Sequence, residues 1–126
     1  MLVVDDEADI RGALRLILED TGYAVSEAPD GLPALARLQA AADGLIVLLD
    51  LRMPGMDGIA LLEAVAAERD GLLGRHAFVL MTARAGRTLP LALATWLQEL
   101  RVPVLSKPFD VDDLLAVVQY AAATLA

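Results

Sequence analysis

The stretch Leu45-Ile46-Val47-Leu48-Leu49-Asp50 decides the fold, because it is the most apolar run of the chain and it ends in a carboxylate. An apolar run without alternation is typical of a central strand buried on both faces of a parallel sheet. Three other apolar runs also end in side chains that can bind phosphate or metal: Leu2 to Val4 before Asp5-Asp6, Phe78 to Met81 before Thr82, and Val102 to Leu105 before Ser106-Lys107. Open α/β sheets bind ligands beyond the carboxyl ends of their strands, so these polar side chains are expected to meet in one crevice.

The segments between the apolar runs have helical periodicity, which predicts an α/β protein of five βα units, (βα)5. In the first helix, Ile10, Leu14, Ile17 and Leu18 fall on one face, and Thr21-Gly22 ends it. Right-handed crossovers between the strands then give one parallel sheet.

Two strands are predicted at the edges of this sheet. The second strand, residues 24–28, is weakly apolar, and the fifth contains Pro103, which cannot donate a ladder hydrogen bond. Turn-forming residues predict that the second helix ends near Asp43-Gly44 and the third at Gly71 and Gly74. Apolar residues at helical spacing predict a fourth helix from about Thr88 to Leu100 and a fifth from Asp110 to the chain end.

Length and composition restrict the classes of function. At 126 residues the chain suffices for one domain with a buried core, so residues 1–126 are expected to form a single domain without an effector domain. The net charge of −8 repels nucleic acid and anionic membranes, so direct binding to either is not expected. No apolar stretch approaches the ~20 residues of a membrane span, and no leader precedes the first strand, so a cytoplasmic location is expected. The absence of cysteine excludes thiol catalysis and thiolate metal sites.

Four motifs resemble those of the receiver domains of two-component response regulators. They are Val4 to Glu7, Leu49 to Gly58, Met81 to Ala83 and Ser106 to Phe109. Each motif alone is common, but four in order, each after an apolar run, are specific and span essentially the whole chain. The resemblance implies a flavodoxin-like, doubly wound sheet of strand order 2-1-3-4-5, with the first and third strands side by side at the switch point.

The resemblance implies a role for each acidic residue at that point. Asp50 would be the phosphoacceptor, taking a phosphoryl group from a phosphohistidine on a sensor histidine kinase or a histidine phosphotransfer protein. Asp6, Asp50 and the backbone carbonyl of Arg52 would bind Mg²⁺, or Mn²⁺ in its place, and Asp5 would act mostly through a metal-bound water. The physical chemistry agrees, since three carboxylates at ~4–6 Å repel one another and an incoming phosphoryl group unless a hard divalent ion neutralises them.

The resemblance also assigns Thr82 and Lys107, whose side chains would contact the acyl phosphate. The Lys107-Pro108 peptide bond is expected to be cis, as in relatives. Val104 stands where many receivers carry an aromatic switch residue, so the signal is expected to pass without that ring. The domain would then be a switch or relay that catalyses only its own phosphorylation and dephosphorylation, and not a turnover enzyme.

Two other functions compete with this interpretation. A degenerate receiver would bind partners constitutively, although the intact acid set, Thr82 and Lys107 give no reason to prefer it. A Mg²⁺-dependent phosphohydrolase with an aspartate nucleophile would carry a second aspartate two residues on, where this chain has Arg52. Any one of the aspartates alone would be interpreted as a turn residue or a helix N-cap.

Two predictions concern surfaces. His76, the only histidine, lies beside Arg75 and is predicted to be a surface residue. The fourth and fifth helices are apolar all round, so they and the fifth strand are predicted to form a dimer or partner surface.

Overall fold

The structure is a computed structural model that describes residues 1–53, 55–68, 71–82 and 89–125. Pro54 in the predicted loop, Ala83 in the third motif and Thr88 at the predicted start of the fourth helix lie outside these residues. Within the described ranges, the chain forms five strands and six helices.

The five strands form one parallel sheet in the order β2-β1-β3-β4-β5. The strands are β1 Leu2–Val4, β2 Ser26–Ala28, β3 Ile46–Asp50, β4 Ala77–Thr82 and β5 Val104–Ser106. The central strand β3 lies between β1 and β4, and all its residues are buried. The predicted α/β class and flavodoxin-like strand order are therefore confirmed.

Helices cover both faces of the sheet. They are α1 Ala8–Asp20, α2 Gly31–Ala40, α3 Gly58–Ala67, α4 Leu72–Arg75, α5 Leu91–Glu99 and α6 Val111–Thr124. Side chains of α1 and α6 share one core cluster with Ile46 and Leu48, and those of α2, α3 and α5 share the other with Val47 and Leu49. Successive residues of β3 thus serve opposite core layers, which explains why every position of this strand is apolar up to Asp50.

Both edge strands are shifted from the prediction. β2 begins at Ser26, which pairs with Leu2, two residues later than predicted, although the Met1 amino group still donates a hydrogen bond to the Ala24 carbonyl at 3.0 Å. Pro103 precedes β5 rather than lying within it, and its carbonyl accepts a hydrogen bond from the Leu80 N–H at 2.9 Å. The prediction that these two strands lie at the sheet edges is confirmed.

The segment after α3 contains a helix that the sequence reasoning missed. Gly71 and Gly74 were expected to close the third helix, but α3 ends at Ala67 and a separate single turn, α4, follows. Gly71 lies at the N-cap of α4 with a left-handed φ of 76°, which glycine adopts without a steric cost. This glycine therefore begins a helix instead of ending one.

Three other helices differ from the prediction by a few residues at their ends. α2 ends at Ala40 rather than near Asp43-Gly44, and α5 spans Leu91–Glu99 with Pro90 at its N-cap. The last helix begins at Val111, because the Asp110 side chain caps it by accepting a hydrogen bond from the Asp113 N–H at 2.8 Å.

His76 is buried, so the prediction that it is a surface residue is wrong. Its side chain contacts two backbone groups: Nδ1 accepts a hydrogen bond from the Leu45 N–H at 2.9 Å, and Nε2 lies 3.1 Å from the Leu38 carbonyl oxygen. Because Nδ1 must accept, the neutral ring with its proton on Nε2 satisfies both contacts. Burial lowers the pKa of His76 below its ordinary value, which favours this neutral form.

Among the helices of the described residues, none is long and apolar enough to span a membrane.

Candidate functional site

Three aspartates meet at the carboxyl end of the sheet. Asp5 and Asp6 follow β1, and Asp50 is the last residue of β3, the neighbouring strand. Ligand oxygens of the three carboxylates all lie within 4.8 Å of one another. Asp5 and Asp50 are buried, whereas Asp6 is exposed. The convergence follows from topology: β1 and β3 are parallel neighbours, and the order in which successive strands are added to the sheet changes direction between them, which leaves a crevice at their carboxyl ends.

Lys107, which directly follows β5, reaches across to this cluster. Its ammonium lies 2.9 Å from Asp5 Oδ2 and 3.5 Å from Asp50 Oδ1. Burial alone would lower the pKa of Lys107, but the hydrogen bond to Asp5 and the charge of Asp50 outweigh it and raise that pKa. The lysine is therefore held as a cation between two buried carboxylates.

Both carboxylate oxygens of Asp5 have partners within the protein. Oδ2 accepts from Lys107, and Oδ1 accepts a hydrogen bond from the Glu7 backbone N–H at 3.0 Å. These contacts compensate the burial of a residue with no exposed surface.

Asp50 is in a less favourable environment for its charge. Burial, reinforced by the negative charge of Asp5, raises the pKa of Asp50 to about 6 against the opposing charge of Lys107. At neutral pH this carboxylate is still mostly ionised, so it can act as a nucleophile. Its charge remains only partly compensated by groups of the protein.

A crevice of about 370 Å³ opens over these groups. Its lining includes the predicted site residues Asp6, Asp50, Arg52, Thr82 and Lys107, together with the apolar side chains of Ile10 and Leu51. Asp5 is fully buried and contacts this lining through the Lys107 ammonium. The crevice is large enough for a phosphoryl group and its water. The structure thus brings together six of the predicted site residues, which are Asp5, Asp6, Asp50, Arg52, Thr82 and Lys107.

Thr82 and Lys107 are linked through the backbone of adjacent strands. Thr82 is buried at the end of β4, where it pairs with Ser106 of β5, and its carbonyl accepts a hydrogen bond from the Lys107 N–H at 2.6 Å. The Lys107-Pro108 peptide bond is cis, the geometry that the resemblance implies. Val104, at the position of the missing aromatic residue, lies in β5 and is 38% exposed.

The turn from β3 into α3 is built around Gly58. A Cβ at this position would collide with the backbone carbonyl oxygen of Asp50, so only glycine allows α3 to start this close to β3. Asp57 caps the helix by accepting a hydrogen bond from the Ala60 N–H at 2.8 Å. The Leu51 N–H donates to the Met81 carbonyl at 2.8 Å and fixes the residue after Asp50 on β4.

One contact of the site, made by Arg11 of α1, was not predicted from the sequence. Arg11 Nη1 donates to the backbone carbonyl of Asp5 at 2.6 Å, and its Nε donates to Glu27 of β2 at 3.1 Å. Glu27, a charged residue within the short strand β2, is the one sequence feature that could have indicated such a partner.

The donor set fits a hard divalent cation. Carboxylate oxygens are the ligands that Mg²⁺ prefers. Three of them converge here within 4.8 Å, and among the described residues this cluster contains no histidine. The fully partnered state of Asp5 leaves Asp6 and Asp50 as the carboxylates with the greater capacity for direct coordination.

Comparison with known proteins agrees with this geometry. A family model described as the response regulator receiver domain matches residues 1–119. The chain belongs to this family. As a receiver domain, it resembles the transcriptional regulator NtrC of Salmonella typhimurium, with 35% identity over 94% of this chain and 24% of that protein. It also resembles the C4-dicarboxylate transport transcriptional regulatory protein DctD of Rhizobium meliloti, with 35% identity over 91% of this chain and 23% of that protein.

Solved structures give the same picture. A CheY-like receiver domain protein from Methanospirillum hungatei superposes with a TM-score of 0.80 and 34% identity, covering 98% of this chain and 94% of that one. The chemotaxis protein CheY4 of Vibrio cholerae superposes with a TM-score of 0.77 and 29% identity, covering 95% of each chain. The receiver domain spans about a quarter of the length of regulators such as NtrC and DctD.

Proposed function

We propose that this receiver domain accepts a phosphoryl group on Asp50 in a reaction that requires Mg²⁺, and that the phosphorylated form switches or relays a signal. The observation that carries the proposal is the convergence of Asp5, Asp6 and Asp50 within 4.8 Å beside the ammonium of Lys107. Family membership supports the signalling role, and the donor set supports the metal.

In the proposed reaction an Asp50 carboxylate oxygen attacks the phosphorus of a phosphohistidine on a partner kinase or phosphotransfer protein. A P–O bond to Asp50 forms, the P–N bond breaks, and the imidazole nitrogen leaves with the electron pair and takes a proton. This chemistry needs in-line positioning and compensation of charge on the phosphoryl oxygens more than it needs covalent help. The crevice would position the phosphoryl donor in line, and the cationic and hydroxyl groups along its wall would compensate the charge on the phosphoryl oxygens.

Each residue has a separate task in this proposal. Asp6, Asp50 and the backbone carbonyl of Arg52 would hold the metal, with Asp5 acting through a water because both its oxygens already have partners. A divalent cation held there offsets the negative charge that would otherwise keep a phosphoryl group out of the crevice. Lys107 would pair with a phosphoryl oxygen, and Thr82, at the end of β4, would donate its hydroxyl to another.

The partner and the output belong to the same proposal. Response regulators work with histidine kinases, so a sensor histidine kinase or a histidine phosphotransfer protein is the proposed donor. The net charge of −8 argues against direct nucleic-acid binding by this domain. The predicted fourth and fifth helices correspond to α5 and α6, and the dimer or partner surface that they would form with β5 stays a prediction.

The proposal is tested by intact-mass spectrometry after incubation with acetyl phosphate, with and without Mg²⁺. We expect one labile phosphoryl adduct that requires Mg²⁺ and is absent from Asp50→Asn. The matched control is Asp57→Asn in the same loop, where asparagine preserves the α3 cap and the adduct should form normally. A folded wild-type protein that forms no adduct would point to a constitutive binding module instead.

A further inference from the structure

Arg11 of α1 contacts the backbone of the acidic cluster directly. Its Nη1 donates to the Asp5 carbonyl oxygen at 2.6 Å, while its Nε pairs with Glu27 Oε1 at 3.1 Å. The Arg11 side chain is only 16% exposed and that of Glu27 26%, so both are held among other groups and not free in solvent. The guanidinium thus joins helix α1, the edge strand β2 and the end of β1.

The carbonyl that Arg11 holds belongs to the peptide that joins Asp5 to Asp6. Because a peptide unit is planar, fixing its oxygen fixes the direction in which the chain leaves Asp5 and enters Asp6. The preceding peptide is fixed as well, since the Asp5 N–H donates to the Ala28 carbonyl of β2 at 3.2 Å. These two hydrogen bonds hold the backbone on both sides of Asp5, which leads directly into the exposed Asp6.

We propose that Arg11 is a positioning residue for the divalent-cation site: by holding the Asp5-Asp6 peptide against Glu27, it sets the relative placement of the carboxylates that bind the metal. This inference rests on the proposed function, because it concerns the same metal. Groups that orient metal ligands from outside the coordination sphere typically contribute a factor of about 10–100 to metal affinity.

Arg15 is a matched control one helical turn away. It carries the same charge and pairs with the same Glu27, at 2.8 Å, and with Glu19 at 3.3 Å, but its described contacts do not include Asp5. If Arg11 and Arg15 acted only by tying α1 to β2, their loss would have similar effects. If they acted only through charge, removing either cation beside a cluster of carboxylates would tighten cation binding. The positioning role alone predicts weaker binding for Arg11 and not for Arg15.

The experiment measures binding of Mn²⁺ by the loss of the electron paramagnetic resonance signal of the free ion, with displacement by Mg²⁺, near physiological ionic strength. The proteins are the wild type, Arg11→Gln, Arg15→Gln and Arg11→Lys, each first shown to be folded by urea unfolding. We expect Arg11→Gln to raise the Kd about tenfold or more and Arg15→Gln to change it less than about twofold. Arg11→Lys should lie between, because one ammonium cannot reproduce the fork that spans Asp5 and Glu27.

Each outcome decides the question. Unchanged or tighter binding in Arg11→Gln overturns the inference, and so does an equal loss in Arg11→Gln and Arg15→Gln. If Arg11→Gln does not fold, Arg11→Lys decides, and a Kd equal to that of the wild type counts against positioning. If the wild type binds neither Mn²⁺ nor Mg²⁺, the proposed function fails and this inference fails with it, whereas wild-type binding with unchanged Arg11 variants overturns this inference alone.

Discussion

The ammonium of Lys107 lies 2.9 Å from the carboxylate of Asp5, although the two residues are 102 positions apart in the chain. This contact spans the carboxyl end of the sheet, because Asp5 follows β1 and Lys107 follows β5, with β3 and β4 between them. The pair compensates the charge of a fully buried aspartate before any metal or phosphate arrives.

Removal of this lysine is predicted to destabilise the metal-free protein. Lys107→Met leaves the buried Asp5 carboxylate without its charged partner, and we expect a loss of about 1–3 kcal/mol in the free energy of unfolding. Urea unfolding in chelator measures the loss, and Lys107→Arg, which keeps the charge, should lose less. Excess Mg²⁺ should recover part of the loss, since it binds only the folded site. A Lys107→Met protein as stable as the wild type in chelator would show that the contact carries no net stability.

Removal of the Asp50 charge is predicted to stabilise the metal-free protein, which is the opposite of the effect at Lys107. Its pKa is raised to about 6 in the folded state from an ordinary value of 3.8, so the unfolded chain loses this proton first as the pH rises. Between about pH 4 and 6 the wild type therefore loses stability, whereas Asp50→Asn does not. At about 1.4 kcal/mol per pKa unit, Asp50→Asn should be more stable at neutral pH by up to about 3 kcal/mol.

The measurement for Asp50 is urea unfolding of both proteins in chelator across that pH range. Addition of Mg²⁺ should reduce the difference in the free energy of unfolding between the two proteins, because it should stabilise the wild type more than the variant. An Asp50→Asn protein that is less stable than the wild type in chelator at neutral pH would contradict the argument.

His76 is predicted to make stability fall in acid. Its folded pKa lies below the unfolded value of 6.5, so its contribution is fully present above pH 6.5 and is lost as the pH falls through the folded pKa. Protonation of Nδ1 would also remove the acceptor of the Leu45 N–H. His76→Gln stays neutral, so the stability difference between wild type and variant should shrink from about pH 7 to 5. A difference that is independent of pH would show that His76 titrates alike in both states.

Two glycines should respond to alanine in opposite directions. Gly58→Ala places a Cβ against the Asp50 carbonyl, and we expect a loss of about 1–3 kcal/mol with slower phosphorylation, since the end of β3 must shift. Gly12→Ala lies within α1, with nothing within 4 Å of the new Cβ, and should stabilise by up to about 1 kcal/mol. Thermal unfolding of both variants provides the comparison. A neutral Gly58→Ala would mean that the turn has room to relax.

Self-association is predicted to use exposed apolar residues of α5. Leu91 on this helix is 83% exposed, and Leu32 on α2, 64% exposed, is a matched leucine outside the predicted surface. With Mg²⁺ and beryllofluoride as a phosphoryl mimic, sedimentation velocity should show a dimer that Leu91→Glu weakens and Leu32→Glu does not. A strict monomer under all conditions would count against this surface.

The sheet order and the meeting of the polar residues could be predicted because both follow from backbone topology. An unbroken apolar run such as β3 has to be central in the sheet. Parallel strands then bring Asp5, Asp50, Thr82 and Lys107 to the carboxyl end of the sheet wherever the helices lie. The resemblance then added roles that no spacing provides. These roles stay predictions until phosphorylation is measured.

The contacts that could not be predicted are those to backbone groups. Arg11 binds the Asp5 carbonyl, and His76 binds Leu45 and Leu38 through their backbone, and any residue type offers the same backbone atoms. A polar side chain buried by such partners therefore has no recognisable partner in the sequence. The α4 turn was missed for a related reason, because Gly71 can begin a helix as readily as end one.

The most direct test of the central claim is to locate the phosphoryl group. The protein is incubated with acetyl phosphate and Mg²⁺, reduced with borohydride, which converts an aspartyl phosphate to homoserine, and digested for tandem mass spectrometry. Phosphorylation of the proposed nucleophile predicts homoserine at position 50 only, and its loss when chelator replaces Mg²⁺. Conversion at another aspartate, or conversion at Asp50 that persists in chelator, would contradict the account.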